Sequence, residues 1–330
     1  MDWGKSMFDE LANCKVLVTG ATGLIGQAIV KRLIACKAKV LCVVRSLEKA
    51  KSILGIDTSV SFIVSDVTEL QVTQYGVDYI IHCASNTSSK AFIDDPVGVI
   101  NTAFEGTKRT LDIARLNNVK GYVYLSSMEV YGAPLTDEKV DELHSSNLNT
   151  MVPRSAYPES KRLCESLCAS YASQYGIAAN VIRLTQTFGP GVQYNDGRVF
   201  AEFARCVIEG RNIVLHTKGD TKRSYLYTED AVDAILTVLV SKVYGEAYNA
   251  ANEDTYCSIL EMAELVAKEC ANGKIKVVID EVDTKAFGYA STLHMNLDTS
   301  KLKKLGWKPT TSLVDMYRKM IADMKLKRLS

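Results

Sequence analysis

Residues 154–161 read RSAYPESK, and within them Tyr157 and Lys161 stand four apart. If a helix opens near Pro158, the two lie on one face, one turn apart. A phenol with a reference pKa of roughly 10 is a weak base at neutral pH, but positive charge beside it favours the phenolate. Tyr157 could then take the proton of a substrate hydroxyl. Further upstream, residues 126–132 read SSMEVYG, directly after the apolar run at 122–125. Ser127 or Ser126 can hydrogen-bond a reacting oxygen there and share its developing charge. Glu129 adds a carboxylate. For each of these the plain alternative is structural: a serine satisfying strand-end backbone groups, a carboxylate paired with a neighbouring cation.

Residues 15–30 read KVLVTGATGLIGQAIV. Gly20, Gly23 and Gly26 follow a strand-like run and open a helix-like one. The backbone around Thr22, Leu24 and Ile25 can therefore approach a pyrophosphate without side-chain obstruction. In that context the triplet points to dinucleotide binding, and a cationic nicotinamide would further favour the Tyr157 phenolate. An NAD site usually has an acid at the end of its second strand for the ribose 2′-hydroxyl, where this chain has Val44, followed by Arg45 and Ser46. The missing acid removes repulsion toward a 2′-phosphate, which Arg45 could bind. The cofactor is thus NAD or NADP, with a lean to NADP; the other account of Arg45 is a solvated arginine at a helix start.

These groups need a scaffold that brings several strand ends together. Apolar runs at 15–19, 39–44, 61–64, 78–83 and 121–125 alternate with helical patterns, notably 24–36 and 96–117. Strands so continuously apolar are buried on both faces, which predicts an α/β fold with a doubly wound parallel (Rossmann) sheet. A helix over 158–176 and a strand over 177–184 complete a sixth unit. After about residue 188 the alternation weakens. FGPGVQYNDGRV reads as a loop, 199–209 as an amphipathic helix closed by Gly210, and 212–215 and 224–227 as short strands, with Asp230 near the start of the next helix. Ser258 and Glu261 have capping-box spacing for a helix running to Cys270. The expected division is a dinucleotide-binding domain over 1–187 and a smaller, mainly substrate-binding α/β region over 188–330, with an interdigitated boundary.

With 39 basic and 38 acidic residues and a net charge of +1, no global field draws in nucleic acid or an anionic membrane. Four histidines and nine cysteines without a C-x-x-C pair make a structural metal site an unneeded assumption. Cys164 and Cys168, one helical turn apart, suit apolar packing. The N-terminal segment lacks an apolar core and no apolar run reaches membrane-spanning length, so a cytoplasmic protein is expected.

The G-x-x-G-x-x-G spacing, with Y-x-x-x-K and SSMEVYG, resembles the extended short-chain dehydrogenase/reductases, the branch that contains nucleotide-sugar epimerases, dehydratases and decarboxylases. The resemblance implies that Asp66 and Val67 reach the adenine, that Ala84 and Ser85 pass the nicotinamide ribose, and that Asn101 sits where the family places an asparagine in the following helix. It also makes Ser127 the hydroxyl partner of Tyr157, and has Lys161 hydrogen-bond the cofactor ribose. Dehydratases of this family carry an Asp-Glu pair where this chain has Met128-Glu129, and a thioether cannot protonate a leaving group. Glu129 is similar to the glutamate of decarboxylases acting on UDP-glucuronate, and YNDGRV at 194–199 is close to their M-N-D-G-R-V. On that register Asn195, Arg198 and Val199 hold the substrate nucleotide, Arg223 pairs with its diphosphate, and Arg154 precedes the catalytic tyrosine. Two departures bear on the substrate: Gln186 stands where many relatives have asparagine, and no arginine occurs between Arg223 and Arg318 to give a second clamp. Lys285 or His294 could substitute, or the nucleotide could sit differently.

The expectation is an NAD(P)-dependent enzyme acting on a nucleotide-diphosphate sugar by transient oxidation at C4, foremost an epimerase. The alternatives are a UDP-glucuronate-type decarboxylase, a 4,6-dehydratase, an NADPH-dependent reductase, and, in another class, a dinucleotide-binding sensor without catalysis. A homodimer is expected, with the stripe Leu163, Cys164, Leu167, Tyr171 as core or as one half of a helix-pair interface.

Overall fold

The computed structural model describes residues 8–88, 90–281 and 292–329. The strands are β1 Lys15–Thr19, β2 Lys39–Val44, β3 Val60–Val64, β4 Tyr79–His82, β5 Gly121–Ser127, β6 Ala179–Leu184, β7 Gln186–Phe188, β8 Ile213–Leu215, β9 Lys222–Tyr227, β10 Ala247–Ala250, β11 Asn252–Ser258, β12 Val277–Ile279 and β13 His294–Met295. The helices are α1 Leu24–Ala35, α2 Leu47–Leu54, α3 Ala91–Asp94, α4 Pro96–Asn117, α5 Ala156–Tyr175, α6 Val199–Glu209, α7 Thr228–Leu239, α8 Ile259–Glu269, α9 Ser300–Lys303 and α10 Leu313–Leu329. Seven strands form one parallel sheet in the order β10-β6-β5-β4-β1-β2-β3. The order reverses at β1 and β4, so the carboxyl ends of these two strands open a crevice where a doubly wound sheet binds its ligand.

The apolar runs explain the layers. Alternate residues of β1 go to opposite faces: Val16 and Val18 pack with α1 and α7, and Leu17 with α4 and α5. The central strands are buried on both faces as expected, whereas β3 is an edge strand and Val64 at its end is 59% exposed. The helix boundaries follow local chemistry. Asp95 caps α4 by accepting from the Gly98 N–H with Pro96 in the first turn, and Ser258 and Glu261 form the expected capping box. Gly176 and Gly210 end α5 and α6 in the left-handed conformation.

The second half of the chain returns to the first. Strand β10 pairs with β6, and α7 packs under the main sheet. Sequence pattern did not mark β10, because AYNA at a sheet edge carries neither an alternation nor β-branched residues. A separate apolar cluster joins β8, β9, α6, α8 and α10 around Phe188, Phe200, Tyr225 and Tyr317. A small sheet in the order β11-β9-β13, with β7 against β9, links this region to the end of β6.

Candidate active site

The crevice starts with the glycine loop. Gly20 follows β1 with φ +65°, and a Cβ there would stand 2.8 Å from the Ala84 nitrogen at the end of β4. A Cβ on Gly26 would stand 2.1 Å from the Gly20 carbonyl oxygen. Bare backbone at both positions is thus what lets β1, α1 and the β4 end meet. The first turn of α1 has Gly23 as its N-cap, with no side chain capping it and no acidic residue in the turn. Its N–H groups and positive dipole end are left for an anion, which is the fit a dinucleotide pyrophosphate requires. Thr19 Oγ1 lies 2.7 Å from His82 Nδ1 and accepts from the Ala84 N–H at 3.1 Å, tying the two strand ends together. Burial lowers the pKa of His82 to about 3, so this histidine is neutral.

The adenosine end is defined by β2 and β3. Asp66 accepts from the Thr68 N–H and hydroxyl, and its pKa is lowered by those bonds and by the Arg45 guanidinium. Arg45 is exposed at the end of β2. Ser46 caps α2 by accepting from the Lys49 N–H. Val67 is buried and fills the space beside Gly106 of α4. Ser85 is partly exposed just past Ala84.

Ser127, Glu129, Arg154 and Lys161 meet around Tyr157. Helix α5 begins at Ala156, two residues earlier than Pro158 suggests, and Pro158 falls in the first turn where its missing N–H costs nothing. Tyr157 is 7% exposed, and its hydroxyl is hydrogen-bonded by Ser127. Burial, followed by the Glu129 carboxylate, pushes its pKa above the ordinary phenol range, while Ser127 and the Arg154 guanidinium pull it down. Arg154 Nη1 donates to Glu129 Oε2 at 3.0 Å, and the Glu129 N–H donates to Ser127 Oγ at 3.2 Å. Lys161, one turn on, is 3% exposed and donates from Nζ to the Leu125 carbonyl at 2.7 Å. Its ammonium lies 4.7 Å from the Tyr124 ring centre and 5.7 Å from that of Tyr157. Burial lowers the Lys161 pKa to about 8. Ser127 and Arg154 thus favour the phenolate, while the Lys161 ammonium is held by the Leu125 carbonyl.

The two serines have different partners on α5. Ser126 donates to Glu165 Oε1 at 2.5 Å, two turns along the helix from Tyr157, and Glu165 in turn holds Arg183 through Nε at 3.0 Å and Nη2 at 2.6 Å. Arg183 Nη1 also donates to the Tyr131 hydroxyl, which donates to Asn249 Oδ1. This buried network behind residues 126–131 was missed from sequence, although the i, i+4, i+8 row Tyr157, Lys161, Glu165 was a usable signal. Met128 is 5% exposed and packs with Val130, Tyr131, Val140 and Met295.

Asn101 stands apart from this cluster. Val99 packs with Tyr157 and Phe92, and Ala103 is buried against α5, where Cys164 reaches its carbonyl. Asn101 is exposed, two residues or about 200° around the helix from Val99, so it faces away from Tyr157. The stripe on α5 also divides: Cys164 and Cys168 are fully buried, Leu167 and Tyr171 pack against that core, and Leu163 is 44% exposed.

The remaining candidates line the side formed by the second half of the chain. Gln186 on β7 is in register with Tyr225 on β9, and Arg223 lies two residues along on the same face. Among the described residues, Gln186 Oε1 and Arg223 Nε are both buried without a hydrogen-bond partner, an acceptor and a donor fit for a polar ligand. Arg198 is exposed at the N-cap of α6, paired with Asp196 at 2.5 Å and lying over the Phe200 ring. Asn195 is exposed in the loop before it, and Val199 packs against the C-terminal core. Lys285 lies outside the described residues. His294 Nδ1 is 3.1 Å from Asp137 Oδ1 but not aligned for a hydrogen bond, and Lys222 and Tyr256 also engage Asp137.

Known proteins resemble this arrangement along most of the chain. UDP-glucuronic acid decarboxylase 3 of Arabidopsis thaliana is 30% identical over 321 residues, covering 96% of this chain and 90% of that protein. Among solved structures, UDP-N-acetylglucosamine 4-epimerase from Methanobrevibacter ruminantium M1, in complex with UDP-N-acetylmuramic acid, aligns with a TM-score of 0.82 at 21% identity, covering 96% of this chain and 99% of that one. The Bordetella bronchiseptica enzyme WbmF in complex with NAD+ aligns with a TM-score of 0.76 at 22% identity, covering 97% and 95%. The profile of the NAD dependent epimerase/dehydratase family matches residues 16–251, a span that runs from the glycine loop through the Tyr157 cluster to β10. The chain is an enzyme belonging to the NAD dependent epimerase/dehydratase family.

Proposed function

We propose that this enzyme oxidises C4 of a hexose carried on a nucleoside diphosphate and returns hydride to the opposite face, acting as a nucleotide-sugar epimerase. The observation that carries this reading is the pairing of the Tyr157 hydroxyl with Ser127, beside a position, Met128, whose side chain is turned into the core. Tyr157 takes the C4 hydroxyl proton as the carbonyl forms and gives it back as the carbonyl is reduced. Ser127 holds the reacting oxygen. Gly20, Gly23 and Gly26 with the α1 N-terminus would hold the pyrophosphate of the dinucleotide, and Lys161 its ribose. A bound nicotinamide would supply the acceptor and donor of hydride. With no acid at position 128, the oxidised sugar lacks the proton donor that elimination requires, which disfavours a 4,6-dehydratase.

Arg198, Arg223 and Gln186 are assigned to the substrate diphosphate and nucleotide. The exposed Arg45 and the absence of an acid on Val44 support acceptance of NADP as well as NAD. The free thiols, nine in all, suit a reducing compartment such as the cytoplasm. Exposed Val97, Ile100 and Leu163 on α4 and α5 support a homodimer through these helices.

Decarboxylation of a nucleotide-linked uronate is the second reading, favoured by one observation: Glu129, held by Arg154, lies within electrostatic range of the same tyrosine. Oxidation at C4 would make a β-keto acid that loses CO₂ readily. Purified enzyme given UDP-glucose, UDP-N-acetylglucosamine or UDP-glucuronate, with products read by NMR, tests both. A C4 epimer formed with only catalytic cofactor supports the first reading. A pentose and CO₂ from UDP-glucuronate alone support the second, and stoichiometric NADPH consumption overturns both.

A further inference from the structure

Phe92, on the single-turn helix α3, has no role in the readings above, yet it makes the closest ring contact at the site. It is 2% exposed and lies on Tyr157 with ring centres 4.3 Å apart and planes 16° from parallel. The Arg154 guanidinium carbon is 5.4 Å from the Phe92 ring centre. One aromatic ring thus touches both the phenol and the cation that pulls on the phenol. Val99 completes the apolar wall.

We propose that Phe92 is a positioning residue for Tyr157: lying flat on its ring and against Arg154, it aims the phenol at Ser127 and keeps water off it. The inference rests on the reading of Tyr157 as the base. With one ring face covered, the Tyr157 oxygen is presented at its edge, toward Ser127, and the substrate hydroxyl must come to that edge. The polar and charged groups facing Tyr157 are Ser127 from β5, Glu129 from the turn after it, Arg154 from the turn before α5, and Lys161 one turn along α5; Tyr124 of β5 also lies within electrostatic range. Phe92 adds no charge to this set. Its effect is to exclude solvent, which disfavours the phenolate until positive charge is brought in with the ligands.

The test uses Phe92→Ala, with Phe92→Leu keeping apolar volume should alanine fold poorly, and Phe92→Tyr restoring the ring. Two measurements are made on each purified protein. Acetylation of tyrosines by N-acetylimidazole, mapped by mass spectrometry, reads the access of water-borne reagent to Tyr157. The pH profile of kcat on the nucleotide sugar turned over by the wild type reads the ionisation. Phe92→Ala is expected to make Tyr157 reactive and to move the acid limb down by about one pH unit, since a better solvated phenolate forms at lower pH. Turnover falls about tenfold or more from lost aim, and Phe92→Tyr reverses all three. If Tyr157 stays unreactive in Phe92→Ala, or if it becomes reactive while the acid limb stays put, the proposal is overturned. If the wild type turns over no nucleotide sugar, the proposed function falls, while the acetylation contrast still decides whether Phe92 shields Tyr157.

Discussion

Ser127 and Ser126 are adjacent and chemically identical but have different partners, Tyr157 and Glu165, so replacing each with alanine separates the proposed catalysis from packing. Ser127 hydrogen-bonds the Tyr157 hydroxyl and lowers its pKa against the effect of burial. Loss of one such preorganised donor costs about 10²–10³-fold in kcat, or roughly 3–4 kcal/mol of barrier. A hydrogen bond to an ionised group contributes about 1.5–3 kcal/mol, so its removal raises the Tyr157 pKa by roughly one to two units. A higher pKa means the base form is reached only at higher pH, and the acid limb of the kcat profile moves up. Ser126→Ala instead deprives Glu165 of a 2.5 Å bond. Its expected effect is about 1.5–3 kcal/mol of stability in a urea titration, with the acid limb in place. The assay is kcat against pH for both variants, with unfolding measured on the same preparations. An upward shift in Ser126→Ala and none in Ser127→Ala would refute the assignment.

Three further outcomes follow from the geometry. Lys161→Met should abolish turnover yet stabilise the protein at neutral pH, because burial lowers the lysine from 10.5 to about 8, a difference of roughly 3 kcal/mol before the lost bond to Leu125 is set against it. That cost of burying the charge is fully present below pH 8 and fades as pH rises toward the unfolded value, so the advantage of methionine must shrink between about pH 8 and 10; an advantage constant with pH would contradict it. Gly26→Ala places a Cβ 2.1 Å from the Gly20 oxygen and should yield protein that releases no dinucleotide on denaturation, checked by mass spectrometry. Glu165→Gln leaves Arg183, whose side chain is 13% exposed, without its counter-charge, and should cost about 3–5 kcal/mol in urea. The double change Glu165→Leu with Arg183→Met should recover most of that loss, since the remaining buried charge goes with it.

Local chemistry was enough for much of the fold. The parallel sheet, the α4 span, the capping box at Ser258 and the helix ends at Gly176 and Gly210 follow from apolar periodicity and from glycine at left-handed positions, which act over a few residues. The same holds for the glycine loop, legible from its spacing after a strand, and for the Tyr157–Lys161 pair, legible from its spacing along one helix face. Where spacing is ambiguous, packing decided. Nothing in SSMEVYG says which serine faces Tyr157, because a pleated strand alternates sides and the absolute side depends on what packs against it. Met128 reads as a missing acid in sequence, and only its place beside Val130, Tyr131 and Met295 shows it as core. Asn101 is an asparagine in a plausible motif register, yet the helix turns it outward while Val99 and Ala103 take the inner face. Phe92, in an irregular polar stretch, gives no periodic signal at all. Sequence by itself determined six of the seven strands of the main sheet, most helix ends and the residue types of the site, since those depend on neighbours in the chain. The tertiary structure alone decided which side chains meet at Tyr157 and which turn away, because that depends on groups brought together from β5, α3, α5 and the turns beside them across large separations in the chain.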